Sequence, residues 1–266
     1  MKLLLVDAMN VIRRIYEAIP SEDSPEKAQA CVTSSLSSMR RALDLHHASH
    51  VCVVFDHGAK NWRHELYDKY KANRKPMPEH LRNVLPTIKD ELSKIGIRCF
   101  DIEGFEADDV IAALSQKWTS DNRGFVVILS TDKDFYSIMS DQIVIYDHFK
   151  SEWRDEAYVI DKFGVKPSQM ADFLALTGDT SDNIPGVEKI GKKTAAELLR
   201  IHGNLDRIIG NSDKVSGQVG ANLRKGIEMA KLSRQLVLFK TDMHLGLTWR
   251  MLDTRTTINK KSEIKL

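Results

Sequence analysis

Leu3–Asp7 reads L-L-L-V-D, and two later stretches repeat its form: Val51–Asp56, V-C-V-V-F-D, and Val126–Asp134, V-V-I-L-S-T-D-K-D. Each is a short apolar run without polar alternation that gives way to aspartate. Such runs read as strands covered on both faces, the condition of a parallel sheet. In an open α/β sheet, ligands collect beyond the carboxyl ends of the strands, where these aspartates fall. Working outward, strands are predicted at Lys2–Val6, Val51–Phe55, Ile97–Phe100, Gly124–Leu129 and Ile143–Tyr146. Helices are predicted at Asn10–Ala18, Glu26–Leu45, Glu79–Ile95 and Ala107–Trp118, with Gly96 as a helix stop. The alternation implies an α/β fold, a three-layer α/β/α arrangement on a mostly parallel sheet. After about Lys162 the pattern changes to helices joined by short glycine loops, with one further strand expected at Leu236–Phe239. That predicts a helical second lobe.

The 266 residues suffice for a substantial core. A composition of 42% hydrophobic and 29% charged residues is that of an ordinary globular protein, and the net charge of +2 says little as a total. Cys31, Cys52 and Cys99 show no CxxC spacing, which favours free thiols in a reducing compartment over zinc. The apolar run of M-K-L-L-L-V-D is too short for a signal peptide, and no stretch approaches the ~18 apolar residues of a membrane span. A soluble, cytoplasmic protein without a membrane partner is expected.

Nine acids are the candidate metal ligands: Asp7, Asp56, Glu106, Asp108, Asp109, Asp132, Asp134, Asp179 and Asp182. Singly, each has an ordinary reading. E-A-D-D at 106–109 complements a helix dipole, T-D-K-D is a turn or N-cap, and G-D-T-S-D-N-I-P-G is a loop. Jointly they demand more. Two like charges ~4 Å apart at an effective dielectric of ~20 repel by about 4 kcal/mol, and divalent cations would relieve this. Hard oxygen donors suit magnesium or manganese. So many carboxylates match hydrolysis of phosphodiesters by two ions ~3.5–4 Å apart.

Two basic features accompany the acids. Gly186 and Gly191 flank a hairpin ahead of a helix predicted from Lys192, with Lys189, Lys192, Lys193 and Thr194 around it. That is a sequence-neutral grip on a nucleic-acid backbone. Between Lys60 and Lys89, eight Lys or Arg residues face three acids, with Trp62, Tyr67 and Tyr70 interleaved. Cations plus aromatics suit single-stranded nucleic acid, although a solvated basic helix has the same composition.

In order along the chain stand V-D-A-M-N, V-F-D, Y-K-A-N-R, E-A-D-D, S-T-D-K-D, G-D-T-S-D-N-I-P-G-V and I-G-K-K-T-A. With this string the chain resembles the 5′-nuclease (flap endonuclease) family over nearly its whole length. That family includes the 5′-nuclease domain of bacterial DNA polymerase I and phage 5′-exonucleases. The resemblance is greatest to the stand-alone bacterial flap endonucleases of the exonuclease IX type. It implies a PIN-like catalytic region over residues 1–165 with a basic arch at about 60–95. A helical DNA-binding region with a helix–three-turn–helix element follows at 166–250, and a tail at 251–266. It further implies a first metal cluster of Asp7, Asp56, Glu106, Asp108 and Asp109, and a second of Asp132, Asp134, Asp179 and Asp182. Lys71 and Arg74 are implied as catalytic residues steering the scissile phosphodiester, and Tyr70 as an aromatic that stacks on a terminal base. A potassium ion is implied at the backbone of Leu176, Thr177, Pro185, Val187 and Ile190, with Lys189, Ile190, Gly191, Lys192, Lys193 and Thr194 on the DNA.

The expected activity is structure-selective 5′ hydrolysis at flaps of branched DNA by a monomer using magnesium, with manganese able to substitute. Two departures from the family pattern stand out. Asp7-Ala8 replaces the Asp-Gly of many relatives, and alanine avoids the positive φ that glycine tolerates. Asp134, Asp179 and Asp182 are kept where some exonuclease IX-type relatives lack acids, so a complete two-ion site is expected. Two rival readings are a non-catalytic DNA-junction binder of the same fold and a PIN-like ribonuclease. The intact acid set argues against the first, the hairpin and the Lys60–Lys89 stretch against the second.

Overall fold

The structure, a computed structural model, describes residues 1–58 and 60–255. It begins with β1 (Lys2–Asp7), α1 (Ala8–Ala18), α2 (Pro25–His46) and β2 (His50–Val54). Then follow α3 (Trp62–Leu66), α4 (Glu79–Lys94), β3 (Arg98–Phe100), α5 (Ala107–Ser120) and β4 (Phe125–Leu129). A 3-10 turn at Lys133–Ile138 leads to β5 (Ile143–Asp147), β6 (Glu152–Arg154) and α6 (Glu156–Phe163). The rest is helical: α7 (Met170–Thr177), α8 (Lys192–His202), α9 (Leu205–Gly210), α10 (Gly217–Lys225) and α11 (Ile227–Val237).

The sheet order is β3-β2-β1-β4-β5-β6, parallel throughout except for the antiparallel edge strand β6. Leu5 pairs with Cys52 on one side and Ile128 on the other, so β1 is central. The chain order reverses between β1 and β4, and a crevice opens at such a reversal beyond the strand ends. Asp7 ends β1, Asp56 lies two residues past β2 and Asp132 three past β4, so parallel pairing brings all three to one rim.

Strand alternation supplies both layers. Leu4, Val6, Val51, Val53, Val127 and Leu129 pack with α1, α2 and α4. Leu3, Leu5, Cys52, Val54, Val126 and Ile128 pack with α5, and the same core continues without a break into α7, α8 and α11. The helical lobe therefore closes the second face of the sheet. Among the described residues no helix is long and apolar enough to cross a membrane.

Several expectations are corrected. Leu236–Phe239 is no strand: Leu236 and Val237 end α11, buried against the lobe, and Leu238 caps it. The apolar quartet is a helix's inner edge followed by an extended exit. Strand β6 carries too little apolar character to be seen in the sequence. The basic arch narrows, because α4 buries Leu81, Ile88 and Leu92 in the layer against the sheet. What remains outside that layer is the segment up to Pro78. The tail beginning at 251 is anchored at first: Leu252 is buried and the Thr254 N–H donates to the Ser49 carbonyl at 3.0 Å. Its continuation, 256–266, lies outside the described residues. Ala8 opens α1 and is buried, so alanine fits where a positive φ is not required.

Candidate active site

Asp7 is both the end of β1 and the N-cap of α1, where its Oδ1 accepts the Asn10 N–H at 3.1 Å. Its Oδ2 accepts from Ser130 Oγ at 3.0 Å, which ties β1 to the exit of β4. Asp132 caps the following 3-10 turn by accepting the Asp134 N–H at 3.0 Å. Asp56 accepts the Ala107 N–H at the start of α5 at 2.9 Å, and Asp108 follows in that first turn. Asp7, Asp56, Asp108 and Asp132 thereby line one cavity of about 330 Å³, together with Lys71, Arg74, Asn10, Arg13 and Arg14.

Burial pushes the Asp7 carboxyl up to about 7, with the Asp56 and Asp132 carboxylates adding to the rise. Burial first, then Asp7 and Asp132, hold Asp108 well above the carboxylate range. Asp132 is raised by burial, and Asp134 is raised far more by burial and then by Asp132. These are the signs of acids gathered without enough positive charge among them. Glu106 and Asp179 differ. Burial would raise Glu106, but Lys71 and Arg63 bring it down to about 2. Burial of Asp179 is likewise outweighed by Lys133, whose Nζ donates to it at 2.6 Å.

Besides Asp179, three of the expected ligands have basic partners. Asp109 is fully buried and held by structural partners. Its Oδ2 accepts from Arg63 Nη1 at 2.7 Å and Trp62 Nε1 at 3.1 Å, and its Oδ1 from Arg63 Nη2 at 2.9 Å and the Lys240 N–H at 3.0 Å. Glu106 is the N-cap of α5, where its N–H donates to Asp109 Oδ2 at 3.3 Å; its carboxylate accepts from Lys71 Nζ at 2.7 Å, Tyr70 Oη at 2.9 Å and Arg63 Nη1 at 3.1 Å. Asp182 takes the Arg74 guanidinium and lies 3.6 Å from Lys71 Nζ. Tyr70, expected to stack on a base, is only 4% exposed in the DNA-free protein, with its hydroxyl between Glu106 and Asp182 (3.2 Å). The segment carrying it is clamped to the acidic loop, Lys71 N–H to the Asp182 carbonyl at 2.9 Å and Asn183 Nδ2 to the Lys69 carbonyl at 2.7 Å.

Among the described residues, no three His, Cys, Asp or Glu side chains are drawn together as a finished coordination shell. Lysine and arginine instead pair with Glu106, Asp179 and Asp182. The residues still suit a divalent cation. The donors are carboxylate oxygens, and Asp134 Oδ1 is buried with no hydrogen-bond partner, a costly state that a cation would relieve.

In the helical lobe, Gly178 and Gly186 pass in backbone contact. A Cβ on Gly186 would lie 2.2 Å from the Gly178 nitrogen, and one on Gly178 would lie 2.5 Å from the Ile184 oxygen. This apposition gathers the backbone of Leu176, Thr177, Pro185 and Val187, with the Val187 N–H on the Leu176 carbonyl at 2.8 Å and the Ile190 N–H on that of Val187 at 3.0 Å. Gly191 is the N-cap of α8 and has open space where a Cβ would stand. The first α8 bond is the Ala195 N–H to the Gly191 carbonyl, which leaves the N–H groups of Lys192, Lys193 and Thr194 without helix acceptors. Lys189, Lys192 and Lys193 are exposed, whereas the Ile190 side chain is buried, so only its backbone is available to a ligand.

Sequence reasoning missed Arg63, Lys133, Asn10, Arg13 and Arg14. Asp7, Asn10, Arg14 and Glu17 recur at helical spacing, a signal that placed Asn10 and Arg14 beside Asp7 and went unused. Arg63 carried no comparable signal, since its partners are distant in sequence.

Residues 2–164 match the N-terminal resolvase-like domain of 5′-3′ exonucleases, and residues 165–260 the C-terminal SAM fold of the same proteins. The chain is 40% identical over 243 residues to the flap endonuclease Xni of Shewanella woodyi, spanning 91% of this chain and 94% of that protein. It is 36% identical to that of Psychromonas ingrahamii, spanning 92% and 94%. Among solved structures, phage T5 5′-exonuclease with divalent zinc ions bound superposes with a TM-score of 0.74 at 25% identity, covering 89% of each chain. A T5 flap endonuclease complex with DNA and metal ions gives the same values. The catalytic core of Rad2 shares the fold, with a TM-score of 0.57 at 15% identity, covering 97% of this chain and 87% of that one.

Proposed function

The chain belongs to the 5′-3′ exonuclease family, and from that premise we propose that it is a structure-selective 5′ nuclease acting on 5′ flaps of branched DNA. The observation that carries this reading is the single cavity lined by Asp7, Asp56, Asp108 and Asp132 together with Lys71 and Arg74. Acids without compensating charge bind cations, and cationic heads on the same wall bind a phosphodiester.

Magnesium is the proposed ion, held by Asp7, Asp56, Asp108 and Asp132, with Asp134 beside them and Glu106, Asp179 and Asp182 around the rim. Bound divalent ions supply charge neutralisation at the scissile phosphate and a more acidic water. The chain's own residues do the rest. Lys71 and Arg74 orient the phosphate and offset charge on its oxygens. Ser130 and Asn10 keep the Asp7 carboxylate turned to the cavity. The exposed lysines and open N-terminus of α8 hold duplex backbone by charge and N–H donation. A potassium ion at the backbone of Leu176, Thr177, Pro185, Val187 and Ile190 would link the hairpin to a DNA phosphate. The proposal extends to a monomer working in the cytoplasm.

The test is Asp108→Ala assayed on a labelled 5′ flap in magnesium, with junction binding measured in potassium and in sodium. Cleavage is expected to vanish while binding persists and is tighter in potassium. An active Asp108→Ala protein, or a wild-type protein that binds flaps but cleaves none across several divalent metals, would overturn the reading.

A further inference from the structure

Arg63, on the first turn of α3, is 2% exposed, and all three nitrogens of its guanidinium are engaged. Its Nε donates to the Leu236 carbonyl at 2.8 Å and its Nη2 to that of Leu238 at 3.3 Å. Two further bonds grip Asp109, and Nη1 also reaches Glu106 at 3.1 Å. Asp109 in turn accepts from Trp62 and from the Lys240 N–H, and the Arg63 guanidinium and Lys240 Nζ both lie over the Trp62 ring, at 4.3 Å and 4.4 Å. Leu236 lies in the last turn of α11 and Leu238 caps it; α11 packs along α7, and α7 leads through Gly178 to Asp179 and Asp182. One buried cation thus joins the end of the helical lobe to the carboxylate at the start of α5.

Desolvating a guanidinium and a carboxylate costs several kcal/mol per ion, and a buried pair is weak evidence for stability. What this pair provides is geometry, since bidentate and backbone bonds fix Arg63 in one orientation. We propose that Arg63, held by Asp109, is a positioning residue that sets Glu106 relative to the helical lobe, so that the lobe gripping duplex DNA and the acid flanking the metal cavity keep one registration. The proposal rests on the nuclease reading above. Lysine has a single ammonium and can satisfy Asp109 or Glu106, but not both together with the Leu236 and Leu238 carbonyls.

The test compares wild type with Arg63→Lys and Trp62→Phe for kcat and KM on a 5′ flap, half-saturating magnesium and melting temperature. For Arg63→Lys, kcat is expected to fall and half-saturating magnesium to rise by roughly 10–100-fold, the usual effect of removing an outer partner of a metal site, with KM for DNA within about threefold. Trp62→Phe, which removes one donor to Asp109 without emptying the site, should shift the metal requirement the same way by less. A purely structural role would lower the melting temperature of both while leaving kcat and the metal requirement of the folded protein unchanged, and that result would overturn the proposal. Calorimetric titration with manganese reads the metal site without cleavage. A wild type that cleaves nothing would sink the functional reading, while unchanged manganese affinity in Arg63→Lys would sink this one.

Discussion

Asp7 shows how much a single residue's surroundings decide. Its carboxyl rises from the usual 3.8 to about 7, because burial penalises the charge and Asp56 and Asp132 stand near it. A carboxyl raised in the fold holds a proton that the unfolded chain has released. Its stabilisation is complete below the unfolded value of 3.8 and is lost as pH rises to about 7. The metal-free protein should therefore melt at progressively lower temperature across that window. Asp7→Asn, which keeps an oxygen for the Asn10 N–H, should lose less, and magnesium should raise the melting temperature more at about pH 8 than at about pH 5. In a chain of this size ~1 kcal/mol corresponds to roughly 2–4 °C, so scanning calorimetry in chelator and in magnesium can read the difference. Parallel pH profiles for wild type and Asp7→Asn would refute this account. The place of Asp7 in the acidic cavity was legible because an apolar strand ended on it. The commitments of Asp109 and Tyr70 were not, because Arg63, Lys240 and Asp182 reach them only through the fold.

At the scale of elements, legibility followed burial pattern. Strands β1, β2 and β4 were readable because both faces are covered, whereas β6 contributes three residues at an edge. Leu236–Phe239 misled because an apolar quartet is ambiguous between a strand and the inner edge of a helix. The glycine hairpin was recognised, but its two named glycines have opposite duties. Gly186 sits at φ 64° against the Gly178 backbone, while Gly191 has φ −88° and open space. Gly186→Ala should cost at least about 1–2 kcal/mol from left-handed backbone alone, with more from the contact. Gly191→Ala should cost under ~1 kcal/mol as a weaker N-cap yet reduce affinity for duplex DNA by filling the space a phosphate would approach. Thermal melts paired with fluorescence-anisotropy titrations separate the two. Equal stability losses, or unaltered DNA binding by Gly191→Ala, would contradict the division.

For the whole molecule, the sequence suggested a boundary near residue 165, where alternating strands and helices give way to helices. The packing does not break there. Leu3, Leu5, Ile128, Val110 and Leu114 belong to the same core as Phe173, Leu174, Leu198 and Leu236. Composition cannot reveal this, because a helix buried on a sheet and one buried on other helices need the same apolar stripe. Two lobes that share a core should unfold together. The four tryptophans, Trp62, Trp118, Trp153 and Trp249, all lie outside 166–237, while α7 to α11 supply much of the helix. Tryptophan fluorescence therefore reports the sheet side, and circular dichroism at about 222 nm also reports the lobe. The two probes should give coincident urea transitions, with calorimetric and van't Hoff enthalpies equal. A lobe that folded on its own would add a second dichroism transition without a fluorescence counterpart. Such an outcome would mean that grip on duplex DNA can be lost without disturbing the carboxylate cavity, which the continuous core forbids.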